Sequence, residues 1–379
     1  MLDNPAERAA QFAGLVADHV AETQATRRPA QPVIRAFAEA GLLRILAPRS
    51  YGGEEASGLD FMRLVEAVAR FDGSAGWTVM TLNEEIEISA GYVPAAIMTE
   101  VCRSSPATVV AGSGAAWGRA QRAEGGWRIT GRWPFVTGSP IADEIVVGAT
   151  VFGPKPRPLC FALVPAGQVE IHDTWDTVGL RGSGSHDISL NDVFVPDERV
   201  GVIRTNRDTV PDTILFRLPP SLRFPFPKVG VATGVARSAL QTFIELAEGK
   251  KARVSRTVLR ERPDAQLAVT RAEALIGSGW AFATEMVATI WDLADRGETI
   301  PAEIHARTRL ACTHAVASCV TAVETLCTSA GTTANLTGSP LHRYLADVRA
   351  VPQHAMVGGY NDLNAGRVLL GLTPDDPLF

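Results

Sequence analysis

Five cysteines in 379 residues, an odd number with no C-x-x-C spacing, are too few and too scattered for a disulfide framework or a zinc ribbon. Cys102, Cys160, Cys312, Cys319 and Cys327 all sit in apolar surroundings. Cys312 and Cys319 lie two helical turns apart with His314 nearby, but small thiols buried in a helix interface account for them without a metal. There is no basic excess: a net charge of −5 and a pI near 5.9 give no general attraction to nucleic acid or anionic lipid. No apolar run approaches the ~20 residues that a membrane span needs. The first residues, MLDNPAERAAQ, are partly acidic and lack the apolar core of a signal peptide. The expectation is a cytoplasmic protein.

Several catalytic signatures are also missing. The nearest approach to a dinucleotide fingerprint, Gly112 to Gly118, has the wrong glycine spacing and lies in a strand-like region. No Walker lysine follows a glycine loop, and there is neither a G-x-S-x-G elbow nor an H-E-x-x-H pair. A nicotinamide enzyme of the usual kind is disfavoured.

What is present is a change of texture along the chain. Residues 1–107 read as helices: apolar positions recur from Ala36 to Leu46, and Phe61, Leu64, Val65 and Val68 follow i, i+3, i+4, i+7. Asp72-Gly73-Ser74 breaks that pattern and starts the next helix. Residues 108–205 hold short apolar alternations, with Gly125-Gly126 as a hairpin signal, and predict a small barrel or sandwich. Residues 206–379 return to longer helices, at about 229–249, 264–295, 302–329 and from Leu341 past Arg367 with a bend at Gly358-Gly359. A chain of this length builds two or three packed units.

Within the strand-rich segment, Trp127 to Gly148 (WRITGRWPFVTGSPIADEIVVG) stands out. An aromatic run at Trp133 to Phe135 meets a Thr137-Gly138-Ser139 turn, a plausible platform for a flat cofactor with polar edges.

Three segments resemble the acyl-CoA dehydrogenase superfamily: GRWPFVTGSPIADEIVVGA, DTWDTVGLRGSGSHDISLNDVFVP, and SPLHRYLADVRAVPQHAMVGGYNDLNAGRVLLGL. The last is similar to the flavin-dependent, two-component (group D) monooxygenase branch. The resemblance implies an α+β fold with an N-terminal helical domain, a middle β-barrel or sandwich domain and a C-terminal four-helix bundle. It also implies a reduced flavin (FMN or FAD), O2 as co-substrate, a separate flavin reductase, a homotetramer and a small-molecule substrate oxygenated through a C4a-(hydro)peroxyflavin. By the same resemblance Trp133, Phe135 and Val136 pack along the flavin, with Gly138 and Ser139 beside them, and Thr137 lies near N5. Trp175, Arg181 and Ser185 line the cofactor edge, and Arg253 or Arg256 reaches the flavin phosphate, although the family's R-x-x-F-G is missing there. Gln353 and His354 match the position of a histidine facing flavin and substrate, opposite Thr137, as general base or hydrogen-bond donor. Arg181 as a structural brace is an open alternative.

A dehydrogenase of this superfamily needs a carboxylate base. One of its two usual places offers only Asp362, and the other, PKVGVATGVARSAL, offers none. The G-S-A-G-W at Gly73 to Trp77 is followed by Asn83, Glu84, Glu85 and Glu87. Three glutamates so close together usually form a solvated helix face; the alternative is that Trp77, Asn83 and Glu84 line a substrate pocket. An oxygenase leads, with a dehydrogenase using a non-standard base and a non-catalytic scaffold of the same fold as the other readings.

Overall fold

The computed structural model describes residues 4–105, 107–153, 157–203, 211–251, 257–376 and 379. The chain forms two compact units: Met1–Ser57, Thr78–Thr177 and Arg181–Phe216 in the first, and Gly58–Trp77, Val178–Leu180 and Arg217–Phe379 in the second.

The first unit opens with α1 (Pro5–Ala10), α2 (Ala13–Thr26) and α3 (Gln31–Glu39). Asn4 caps α1 through its side chain, and α3 buries Val33, Ile34, Phe37 and Ala38. The expected helix through Leu46 stops at Glu39 instead. Gly41 turns left-handed (φ +76°) and the Leu42 N–H reaches back to the Phe37 carbonyl, a glycine C-cap that ends the helix. Beyond α4 (Gly58–Phe71), which belongs to the second unit, α5 (Gly73–Tyr92) passes from the second unit into the first, followed by α6 (Ala95–Ser104).

Seven strands then build one mixed sheet: β1 (Val110–Ala123), β2 (Gly126–Val136), β3 (Glu144–Val151), β4 (Leu159–Pro165), β5 (Glu170–His172), β6 (His186–Pro196) and β7 (Val200–Val202). Their order is β5-β6-β2-β1-β3-β4-β7. Gly125, at φ +72°, closes the β1–β2 hairpin, and the β1–β3 pair is parallel while the other pairs are antiparallel. Ile129, Ile145, Val147, Ala162, Ile188, Leu190 and Val200, from β2, β3, β4, β6 and β7, share one core, so the sheet curls around it like an open barrel. Trp133 lies at the centre of that core, fully buried, with Nε1 donating to the Gly148 carbonyl at 2.8 Å.

After α7 (Ile214–Arg217) and α8 (Pro220–Arg223), the second unit is built from α4 with α9 (Phe226–Gly249), α10 (Pro263–Asp295), α11 (Ala302–Ala330), α12 (Pro340–Ala350) and α13 (Tyr360–Leu369). Gly230 and Gly234 bring α9 against the α4 backbone: a Cβ would stand 2.7 Å from the Met62 carbonyl oxygen and 2.4 Å from that of Glu66. By length and composition alone the 302–335 segment would pass for a membrane span, contrary to the expectation from sequence, but 61% of its most apolar window is buried within the fold. The final helix is broken rather than bent. Two short 3-10 turns, Val351–Gln353 and Ala355–Val357, separate α12 from α13, with Pro352 unable to donate into the helix and His354 extended at φ −74°, ψ 133°.

Candidate functional site

In the first unit the distinguishing feature is the end of β2. Ladder register slips between Trp133 and Val136, and the intervening Phe135 takes φ +61°, a conformation that costs a bulky L-residue about 1 kcal/mol. The result is that Trp133 and Val136 face the core while Phe135 turns out, 69% exposed. The Trp175 ring meets Phe135 edge-to-face at 6.2 Å, so the two make an aromatic ledge.

Hydroxyls flank the ledge in sequence. Thr137 is buried and shares a 2.8 Å hydrogen bond with Ser185, whose hydroxyl shares another of 2.8 Å with Ser183. The Gly138 N–H donates to the Ser183 carbonyl at 3.1 Å, joining the turn at Thr137-Gly138-Ser139 to the second motif. Gly138 can do this because it adopts φ +74°. Ser139 is buried beside it. Ser183 was not singled out from sequence; the S-G-S repeat at 183–185 is the signal that could have found it.

The Asp173–Thr177 segment that carries Trp175 is tied down on all sides. Arg27 donates to the Trp175 carbonyl at 3.2 Å and to Asp173 at 2.6 Å, while the Trp175 N–H donates to Nδ1 of His186 at 3.2 Å. Burial pushes the His186 imidazole below its ordinary range, which keeps Nδ1 free of a proton to accept that bond. Arg181 donates to the Asp176 carboxylate at 2.7 Å, the Thr177 carbonyl at 2.8 Å and the Gln24 carbonyl at 3.2 Å. Those bonds make it a brace of this loop. His186 is a second residue that sequence did not single out; a lone histidine at the start of a strand gives no pattern to find it by.

On α5, Glu84, Glu85 and Glu87 are all buried, which overturns the solvated-face reading. Asn83 is buried too, and its amide is spent on the fold: both hydrogens go to carbonyls, of Leu42 at 2.8 Å and Val79 at 2.9 Å, and its oxygen accepts from the Ile45 N–H at 3.0 Å. Asn83 therefore staples the turn after α3 and has no amide hydrogen to offer a substrate.

In the second unit His354 caps the 3-10 turn that follows it, its Nδ1 accepting from the Met356 N–H at 3.2 Å. Its ring meets the Trp77 ring edge-on at 5.8 Å. Burial, with the Lys228 ammonium and the Arg309 guanidinium nearby, pushes the imidazole down to about 3. It is therefore neutral, with its one proton on Nε2. Both cations are themselves buried; Arg309 donates to the Ser221 carbonyl at 3.1 Å and to Asn361, and contacts Met356 Sδ at 3.3 Å. Gln353 is exposed. Asp362, the only carboxylate at the first of the two dehydrogenase base positions, sits on the exposed side of α13. Arg253 and Arg256 lie outside the described residues. Thr137 and His354 belong to different units, each with its own local geometry.

The exposed Phe135–Trp175 ledge, with hydroxyls next to it in the chain, fits a flat tricyclic ring with hydrogen-bonding edges. All five cysteines are buried free thiols, and burial raises each of them, Cys312 and Cys319 to about 12.

The chain resembles known proteins over nearly its whole length. The acyl-CoA dehydrogenase N-terminal domain model matches residues 6–90, and the acyl-CoA dehydrogenase C-terminal domain model matches residues 228–358. Indole-3-acetate monooxygenase of Pseudomonas putida is 34% identical over 92% of this chain and 89% of its own. The crystal structure of 3-HSA hydroxylase from Rhodococcus sp. RHA1 covers 100% of this chain and 99% of its own at 26% identity and a TM-score of 0.89. XiaF from Streptomyces sp., solved in complex with FADH2 and glycerol, covers 98% of this chain and 96% of its own at 27% identity and a TM-score of 0.89.

Proposed function

Since the chain belongs to the acyl-CoA dehydrogenase superfamily, in its flavin-dependent monooxygenase branch, we propose that Phe135, Thr137 and Trp175 hold the flavin and that His354 serves the oxygenation step. The protein is a flavin-dependent monooxygenase that acts on a small molecule. When bound, reduced flavin supplies the electrons that activate O2. The observation that carries the residue assignment is Phe135, a large aromatic held outward in a strained conformation where the strand pattern would bury it.

The chain's own groups then have distinct tasks. Phe135 and Trp175 offer the ring surface, while the linked Thr137, Ser185 and Ser183 hydroxyls give it a polar edge. Val136, Gly138 and Ser139 shape the turn beneath, and Trp133 supports them from the core. With Nδ1 engaged by Met356, His354 has Nε2–H to donate, so it acts as a hydrogen-bond donor to a reacting or substrate oxygen rather than as a base. Trp77 forms an apolar wall beside it, and Glu84 is retained as a substrate-recognition candidate.

A separate reductase supplies the reduced FMN or FAD, in keeping with the absence of a nicotinamide fingerprint in the chain. Arg253 or Arg256 contacts the flavin phosphate within a homotetramer. Exposed apolar residues on and after α13, Leu363 and Leu370 among them, support self-association. The buried free thiols suit a reducing, cytoplasmic setting.

The test is to mix the enzyme anaerobically with pre-reduced flavin and then with O2 in a stopped-flow spectrometer, using indole-3-acetate and simple phenols as trial substrates. An oxygen-dependent transient ahead of oxidised flavin, with oxygenated product, supports the reading. Reduction of oxidised flavin by substrate without O2 would point to a dehydrogenase instead.

A further inference from the structure

Two carboxyl groups are buried together in the second unit and belong to none of the roles above. Asp72 and Asp347 are each about 1% exposed. Asp72 precedes α5 and caps it, with Oδ1 accepting from the Ala75 N–H at 2.9 Å. Asp347 lies on α12, and its Oδ1 accepts from the Leu180 N–H at 2.7 Å. Leu180 is another bulky residue in the left-handed region, at φ +49°, so this hydrogen bond secures a conformation the chain would otherwise avoid.

The remaining oxygen of each carboxyl is the informative one. Oδ2 of Asp72 and Oδ2 of Asp347 are both buried without a hydrogen-bond donor. The groups crowd the same space: a Cβ on Gly73, the residue after Asp72, would stand 2.8 Å from Oδ2 of Asp347. The cation beside them, Arg343 on α12, holds its Nε 3.9 Å from Oδ2 of Asp72, beyond hydrogen-bonding distance, and that Nε is itself without an acceptor. From α9 the nearest group is the apolar Val235. Arg237 on α9 and Arg70 on α4 are both taken up by Glu66. Arg349, further along α12, pairs with Glu324 on α11. The Val178–Leu180 segment carries no titratable side chain. Among the described residues, then, two buried carboxyls face each other's charge with one imperfectly placed cation.

Two ionised carboxylates in so dry a place repel each other and are poorly solvated; a single proton between them removes one charge and gives the orphaned oxygens a hydrogen bond. We propose that Asp72 and Asp347 hold one proton between them and act as positioning residues for the Trp77–His354 pair. Asp72 does so by capping the helix that carries Trp77, and Asp347 through the helix end that leads to His354. The positioning half rests on the reading of His354 as a site residue; the shared proton does not.

Burial, reinforced by the charge of Asp72, pushes Asp347 up to about 7, and burial likewise raises Asp72. Because the folded chain keeps this proton at pH values where the unfolded chain releases it, the associated stability is full in acid and is lost as the pH rises through 7. Loss of the proton would also loosen the junction beneath Trp77 and His354, so turnover should fall over the same range.

The experiment uses the flavin-loaded enzyme, as wild type, Asp347→Asn and Asp72→Asn, between about pH 5 and about pH 9. Three quantities are followed: the thermal midpoint, the infrared carbonyl band of a protonated carboxylic acid, and kcat and KM separately. The wild type should lose part of its thermal midpoint between the acid end and neutrality and then level off, and should lose the band as the pH passes about 7, with kcat falling and KM steady. Asp347→Asn keeps an acceptor for Leu180 and mimics the protonated state; it should lack the band, flatten both pH profiles and hold kcat at the low-pH level. A wild type without the band at the acid end, or an Asp347→Asn profile superimposable on that of the wild type, would overturn the shared proton. A flattened thermal profile with an unchanged kcat profile would overturn the positioning role. If no oxygenation is detected with any form, the monooxygenase reading fails, and the band and thermal midpoint still decide the shared proton.

Discussion

The backbone N–H of Met356 donates to Nδ1 of His354 at 3.2 Å, so the accepting nitrogen of that imidazole is already engaged. Under the proposed function, this contact favours a donor role for His354 over that of a base. A base needs a free nitrogen lone pair; His354 offers a donor hydrogen instead.

His354→Ala should lower kcat by about 10²-fold, the usual cost of a lost donor to developing charge, with flavin affinity little changed. Held near 3 by burial and the neighbouring cations, His354 stays neutral through the working range. Its ionisation should therefore add no inflection near 6.5, so the fall in kcat around neutrality should have the same midpoint in the wild type and His354→Ala. Below that, the unfolded chain binds a proton that the folded chain refuses, so stability falls as the pH drops from about 6.5 towards 3. Rate–pH profiles and thermal midpoints of the wild type and His354→Ala check both statements.

Thr137→Val removes a buried hydroxyl from the Ser185–Ser183 chain. Reduced-flavin affinity should weaken by about tenfold, equivalent to one good hydrogen bond, while Thr137→Ser should bind nearly as well. Fluorescence titration under anaerobic conditions measures this, and equal affinities for the Val and Ser variants would remove Thr137 from the flavin site.

Asn83→Ala deletes three buried hydrogen bonds, two to the turn between Leu42 and Ile45 and one to the Val79 carbonyl. A loss of about 3 kcal/mol in denaturant unfolding is expected, with KM unchanged in whatever fraction stays folded. A raised KM at full stability would return Asn83 to the substrate pocket.

Glu84→Gln and Glu85→Gln test the buried acidic segment of α5. If Glu84 recognises substrate, its variant raises KM while the thermal midpoint holds, and Glu85→Gln does not reproduce this. A lowered midpoint with an unchanged KM assigns Glu84 to the fold.

The layout of helices, strands and helices was readable because the hydrophobic period itself changes, from the i, i+3, i+4 spacing of Phe61 to Val68 to the alternation of β2 and back. The hairpin at Gly125 and the breaks at Asp72 and Gly249 were readable from local backbone chemistry. What escaped depends on contacts between distant residues. Glu84, Glu85 and Glu87 look like a solvent face in one dimension, and their burial is a property of what packs around them. Asn83 looked like a pocket residue until its partners at Leu42 and Ile45 came into view. Phe135 and Trp133 are two apart and should share a face; the register slip that separates them has no sequence mark beyond the intervening Pro134. The last helix failed for a related reason, since Pro352 and His354 divide what periodicity alone would continue.

Trp133 occupies the space that side chains at Gly118 and Gly131 would need: a Cβ on either glycine would come within 2.3 Å and 2.8 Å of the indole. These three positions therefore form a single unit of variation. In an engineered library an alanine at 118 will be recovered only alongside a smaller residue at 133; one at 131 also meets the Gly118 Cα at 2.7 Å, and a smaller residue at 133 alone will leave a hole in the sheet core. Directed evolution of this enzyme should diversify the three codons together, or leave them untouched and work outward from Phe135.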